Sequence, residues 1–83
     1  MGLDIVELFM SVEQHYGFTV PDAAAREMRS VGDLHQYILD HAQPRPDIDQ
    51  AWVWLRDMIA HDFGIQKERI TREAWVVRDL GMD

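Results

Sequence analysis

Apolar residues recur along this chain in two long stretches at helical spacing, separated by short polar or proline-bearing intervals. In the first stretch Leu3, Val6, Phe9 or Met10 and Tyr16 follow the three-to-four spacing of a buried stripe. That spacing predicts a helix over 4–16, with Asp4 as cap or first-turn acid and Gly17 as its stop. Phe18-Thr19-Val20 is β-prone but short, and Pro21 ends it. Asp22 is placed to cap the alanine-rich segment 23–28, so this interval reads as a loop followed by a short helix. Ser30-Val31-Gly32-Asp33 fits a capping box, in which hydroxyl and carboxylate satisfy free N–H groups at a helix start. Leu34, Tyr37, Ile38 and His41 carry that helix onward.

Residues 42–47, Ala-Gln-Pro-Arg-Pro-Asp, form the one linker-like stretch, because two prolines stiffen it and forbid helix continuation. Asp47 or Asp49 can cap the next element. In it Ile48, Trp52, Leu55, Ile59 and Phe63 recur at spacings of 4, 3, 4 and 4, a nearly ideal buried stripe closed by Gly64. Beyond it, Ile65, Ile70, Trp75, Val76, Val77 and Leu80 stand as isolated anchors, which predicts an ordered loop with one short helical turn after Thr71. The expected class is all-α, a small helical bundle of three main helices and one short helix in a single domain over 1–83.

Composition narrows the chemistry. There is no Cys, so disulfides, thiolate metal sites and thiol catalysis are excluded. No apolar run approaches the length of a membrane span and no signal-peptide pattern opens the chain, so a cytoplasmic location and no membrane contact are expected. The formal charge is -7. It is uneven: residues 1–42 hold seven acids against Arg26 and Arg29, whereas 43–83 hold eight acids against six bases. That sign disfavours nucleic acid and suits proteins with basic docking surfaces. His15, His35, His41 and His61 lack metal-ligand spacing and read as surface or helix-end histidines, so no metal site is expected. Asp4, Asp79 and Asp83 offer hard oxygen ligands only if the chain's two ends meet. Trp52, Trp54 and Trp75 read as core and loop anchors. No nucleophile–base pair or phosphate-binding glycine loop is present, so no enzyme activity is expected.

Motifs add a family. Gly2-Leu3-Asp4-Ile5-Val6-Glu7-Leu8-Phe9-Met10 resembles the acyl carrier protein signature that begins D-S-L-D and continues V-E-L-x-M. The likeness runs on through Tyr16-Gly17-Phe18-Thr19-Val20-Pro21-Asp22 and Ser30-Val31-Gly32-Asp33, so that 2–41 resembles the family's second to fourth helices. Residues 48–83 resemble its first helix and first loop, with Ile70-Thr71-Arg72-Glu73-Ala74 for I-T-P-E-A and Asp79-Leu80-Gly81-Met82-Asp83 for D-L-G-x-D. In the family that piece comes first; here it comes last. Circular permutation is the simplest account, and a linker of about six residues, spanning roughly 20 Å when extended, is long enough to join the old ends.

The resemblance implies a phosphopantetheine arm on a serine directly after D-L-G-x-D, at a helix start where free N–H groups suit a phosphodiester. Gly2 occupies that position here, flanked by Asp83, Leu3 and Asp4, and glycine has no oxygen to carry the arm. Of the two serines, Ser30 reads as a cap and Ser11 lies mid-helix. No cofactor is therefore expected. The family's serine-bearing helix also displays acids that partners read; Asp4, Glu7 and Glu13 match such positions, and Gln14 stands where more acid is usual. The resulting expectation is a non-catalytic protein-interaction module of acyl, polyketide or peptide-synthetase-type metabolism. One alternative is a working acyl carrier, with phosphopantetheine, whose attachment site is displaced, truncated or engineered. Another is a structural domain-swapped dimer in place of a monomer.

Overall fold

The computed structural model describes residues 2–83. Four helices follow one another: α1 (Leu3–Tyr16), α2 (Asp22–Glu27), α3 (Val31–His41) and α4 (Ile48–Phe63), and then a single 3₁₀ turn, Lys67–Arg69. The described residues contain no strand, and their one extended pairing is an isolated antiparallel bridge between Ser30 and Trp75. The fold is all-helical. None of its helices is long and apolar enough to cross a membrane.

The buried face of α1 is only partly the expected one: of the stripe Leu3, Val6, Phe9 or Met10 and Tyr16, Phe9 is buried and Tyr16 packs partly against the core. Ile5, Leu8, Phe9 and Val12 turn into the core, while Leu3, Val6 and Met10 are exposed. Apolar residues occupy two opposite faces of α1, and each set has helical spacing. Only packing against the other elements, α4 among them, chooses between the faces. Leu8 and Val12 meet Val31, Leu34 and Ile38 of α3 and Leu55 and Ile59 of α4 in one cluster, all fully buried. Each such side chain contributes about 1.5–3 kcal/mol by leaving water.

Helix ends follow the local chemistry except at α2, where Asp22 is the first helical residue behind Pro21 and makes no cap. Gly17 and Gly64 both adopt left-handed φ, 75° and 65°, where a side chain is strained. At the start of α3 the Ser30 hydroxyl accepts from the Asp33 amide at 3.0 Å, and the Asp33 carboxylate accepts the Ser30 and Arg29 amides at 3.1 Å. Burial pushes the Asp33 carboxyl up, but these bonds outweigh it and hold its pKa below the ordinary value. Asp47 caps α4, accepting the amides of Asp49 and Gln50. On α4, Leu55 and Ile59 are buried as expected, whereas Ile48 in the first turn is 53% exposed and lies beyond the core's edge.

The segment after Gly64 is held by anchors and backbone pairing. A 3₁₀ turn comes first, where Arg69 and Ile70 amides reach back to Gln66 and Lys67 carbonyls, and the turn expected after Thr71 follows it, where the Ala74 amide donates to the Thr71 carbonyl at 3.2 Å. From Arg72 on, the backbone also pairs with the start of α3. Gly32 N donates to Arg72 O, Val31 N to Ala74 O and Val76 N to Arg29 O, each at 2.9 Å. Gly32 is required there, since a Cβ on it would stand 2.8 Å from the Arg72 carbonyl oxygen. Ile70, Ala74, Val76, Leu80 and Met82 enter the core, but Val77 does not; it is exposed.

His35 is a further correction. It is the buried polar residue of the described chain, set inside α3 and 3% exposed. Its Nε2 lies 2.9 Å from the Ile48 carbonyl and its Nδ1 faces the Arg72 guanidinium. A guanidinium only donates, so Nδ1 accepts and the ring proton resides on Nε2. Isolated sequence spacing could not show this, because both partners arrive from the other half of the chain.

Candidate functional site

The start of α1 lies against the last residue. Gly2 is the N-cap and supplies no side-chain cap. The first intrahelical bond runs from Val6 N to Gly2 O at 3.2 Å, and Ile5 N donates to the Asp83 carbonyl at 3.1 Å. In helical register Ile5 calls for a carbonyl four residues upstream. Asp83 provides one from the far end of the sequence. A Cβ built on Gly2 overlaps the Asp83 backbone carbonyl. This position therefore has neither an oxygen to esterify nor space for a side chain in the observed geometry, and the residues present do not fit a covalently attached phosphopantetheine. Of the two serines, Ser30 caps α3 and Ser11 lies half-buried midway along α1.

The four residues singled out for partner contact separate. Glu7 and Gln14 are exposed and Asp4 is half-buried, all on α1. Glu13 does something else: its carboxylate accepts the Val20 amide at 2.7 Å and clasps the loop between α1 and α2 to the helix. The residues missed by sequence reasoning are Leu3, Val6 and Met10, at 79%, 39% and 48% exposure. Leu3, Met10 and Gln14 lie seven and four positions apart, one above another, with Val6 and Glu7 on either side. The signal was available in the sequence: these are the apolar residues left over once Ile5, Leu8, Phe9 and Val12 are assigned inward. The outcome is an apolar stripe edged by carboxylates, beginning at Gly2.

Other candidates resolve differently. Asp4, Asp79 and Asp83 do not form a metal-holding group among the described residues. Asp79 instead accepts both Arg78 nitrogens, at 3.0 and 2.9 Å, and the Trp75 amide at 2.8 Å. Those bonds, the Arg78 pair first, lower its pKa to about 2. Trp52 and Trp54 pack against the core, and Trp54 is covered by His15, stacked at 4.1 Å. Beside Gly2 a half-open, largely apolar cleft of about 620 Å³ separates α1 from α2 and from the loop at Trp75–Arg78.

Comparison with known proteins gives one consistent result. Over 40 residues the chain is 44% identical to the acyl carrier protein of Helicobacter acinonychis, covering 48% of this chain and 51% of that protein. It is 44% identical over 42 residues to the acyl carrier protein of Clostridium acetobutylicum, and 42% identical over 42 residues to that of Clostridium perfringens. Those stretches cover 51% of this chain and 54% and 55% of the relatives. The chain thus spans about half the length of the curated relatives it matches. No family model and no solved structure matches.

Proposed function

We propose, proceeding from this relationship to the acyl carrier proteins, that the chain is a carrier-like module that works by protein contact and carries no acyl arm. In this reading the family's order is circularly permuted, residues 48–83 standing for its first helix and loop, and Gly2 holds the place of the attachment serine. The observation that carries it is the Asp83–Ile5 bond, by which D-L-G-x-D runs into the first turn of the V-E-L-x-M helix in helical register. Partner recognition falls to the α1 face: Leu3, Val6 and Met10 bury apolar area, and Asp4 and Glu7 steer basic partners by long-range attraction. The setting is acyl, polyketide or peptide-synthetase-type metabolism, and the module has no catalytic role.

The test is intact-mass analysis of this chain after incubation with a phosphopantetheinyl transferase and coenzyme A, beside an ordinary acyl carrier protein. The carrier gains the arm's mass and this chain does not. A mass gain here sinks the proposal and revives a working carrier.

A further inference from the structure

We infer that the cleft beside Gly2 is a second docking site, for a partner segment that is acidic and carries large apolar side chains. This goes beyond the α1 face and does not depend on it. The floor of the cleft is apolar, formed by Ile5, Phe9, Ala25, Met28 and Val76. Its rim is cationic: Arg26 and Arg29 stand on the α2 side and Arg78 on the loop side, against Asp83 alone among the acidic residues lining it. In a chain with 15 acids and 8 bases, that is a local reversal of sign.

The arginines are held ready. Arg78 lies 4.1 Å and Arg29 5.5 Å from the Trp75 ring centroid, so two guanidinium groups share one indole. Arg78 is already paired with Asp79, so the cations left for a ligand's carboxylates are Arg26 and Arg29. Neither Arg26 nor Arg29 has a carboxylate at ion-pair distance among the described residues. Arg26 and Arg29 are three residues apart with Arg78 on the loop side, and exposed Val77 adds to the apolar lining. A track of charge around an apolar slot fits an extended peptide, with its large side chains in the slot and its carboxylates on the rim.

The experiment is fluorescence anisotropy of a labelled peptide, Glu-Glu-Asp-Leu-Phe-Asp-Glu-Glu, titrated with the intact chain from low to physiological ionic strength. Parallel arms use the same peptide with Ser for Leu and Phe, a Lys-for-acid counterpart, and dodecanoate as competitor. Binding is expected for the first peptide, weakening with salt, and weakening about tenfold in the Arg26→Glu/Arg29→Glu variant. The Ser and Lys peptides are expected to bind far more weakly. Thermal unfolding of the variant verifies that it is folded; should it not be, Arg26→Gln alone replaces it, with a smaller loss expected. No binding, binding unchanged by the variant, or equal binding of the Lys peptide overturns the inference. Dodecanoate binding without peptide binding also overturns it, assigning the cleft to a small amphiphile.

Discussion

Placing a methyl group on Gly2 tests the contact on which the functional reading rests. Gly2 has φ -75° and ψ 173°, a conformation open to any L-residue, so backbone strain contributes nothing to the outcome. The added Cβ overlaps the Asp83 carbonyl, and Asp83 must withdraw. Gly2→Ala then loses the Asp83–Ile5 bond, about 1 kcal/mol, and replaces a tolerated N-cap with a poor one, about 1 kcal/mol more. Gly2→Ser loses the bond but gains a hydroxyl suited to capping, so its net cost is about 1 kcal/mol or less. For a chain of this size each kcal/mol moves Tm by about 4–8 °C. Thermal unfolding by circular dichroism should therefore rank wild type above Gly2→Ser above Gly2→Ala. Hydrogen exchange at the Ile5 amide should quicken in both variants. If Gly2→Ala unfolds at the wild-type temperature with its Ile5 amide still protected, Asp83 does not complete α1, and the argument from register fails.

Further outcomes follow from the same coordinates. Leu55→Ala, at the fully buried crossing of α4 with the core, should cost about 2–5 kcal/mol in denaturant titration. Glu13→Ala should cost about 1.5–3 kcal/mol by freeing the Val20 amide, and faster exchange at that amide identifies the clasp; an unchanged stability would return Glu13 to the list of docking acids. The Asp79 pKa is lowered to about 2. A depressed carboxyl stabilises the fold above its ordinary value and loses that contribution as pH falls toward about 2. Asp79→Asn should accordingly flatten the pH dependence of stability between about pH 4 and pH 2, measured by urea unfolding; a slope equal to wild type refutes the assignment.

Local chemistry was the part of this fold most open to reading from sequence. The capping box at Ser30 and Asp33, the glycine stops at Gly17 and Gly64, and the Asp47 cap each depend on residues a few positions apart, and each stands as expected. What required the other half of the chain was not legible. The stripe Leu3, Val6, Phe9 or Met10 and Tyr16 is only partly the inward face of α1, Phe9 and Tyr16 meeting the core and Leu3, Val6 and Met10 not, because two apolar faces satisfy the same period and only tertiary contact separates them. His35 reads as a surface residue until Arg72 and Ile48 close over it. The turn after Thr71 is present, but the pairing of its backbone with residues some 40 positions earlier has no local signal. At the site, the absent hydroxyl at Gly2 was plain from the sequence. The arginine-rimmed cleft was not, since it draws on α1, α2 and the loop together.

The linker between α3 and α4 acquires a different meaning in this light. Residues 43–47 are largely exposed, and their amides make no backbone hydrogen bonds among the described residues. Apart from the Asp47 cap on α4, the linker thus holds the two halves near each other. Its service is to set an effective concentration, of millimolar order for a short tether. A single proteolytic nick there would turn an intramolecular fold into a two-piece equilibrium whose melting temperature rises with protein concentration. Residues 2–41 and 48–83 would then behave as receptor and ligand, each completing the other's core.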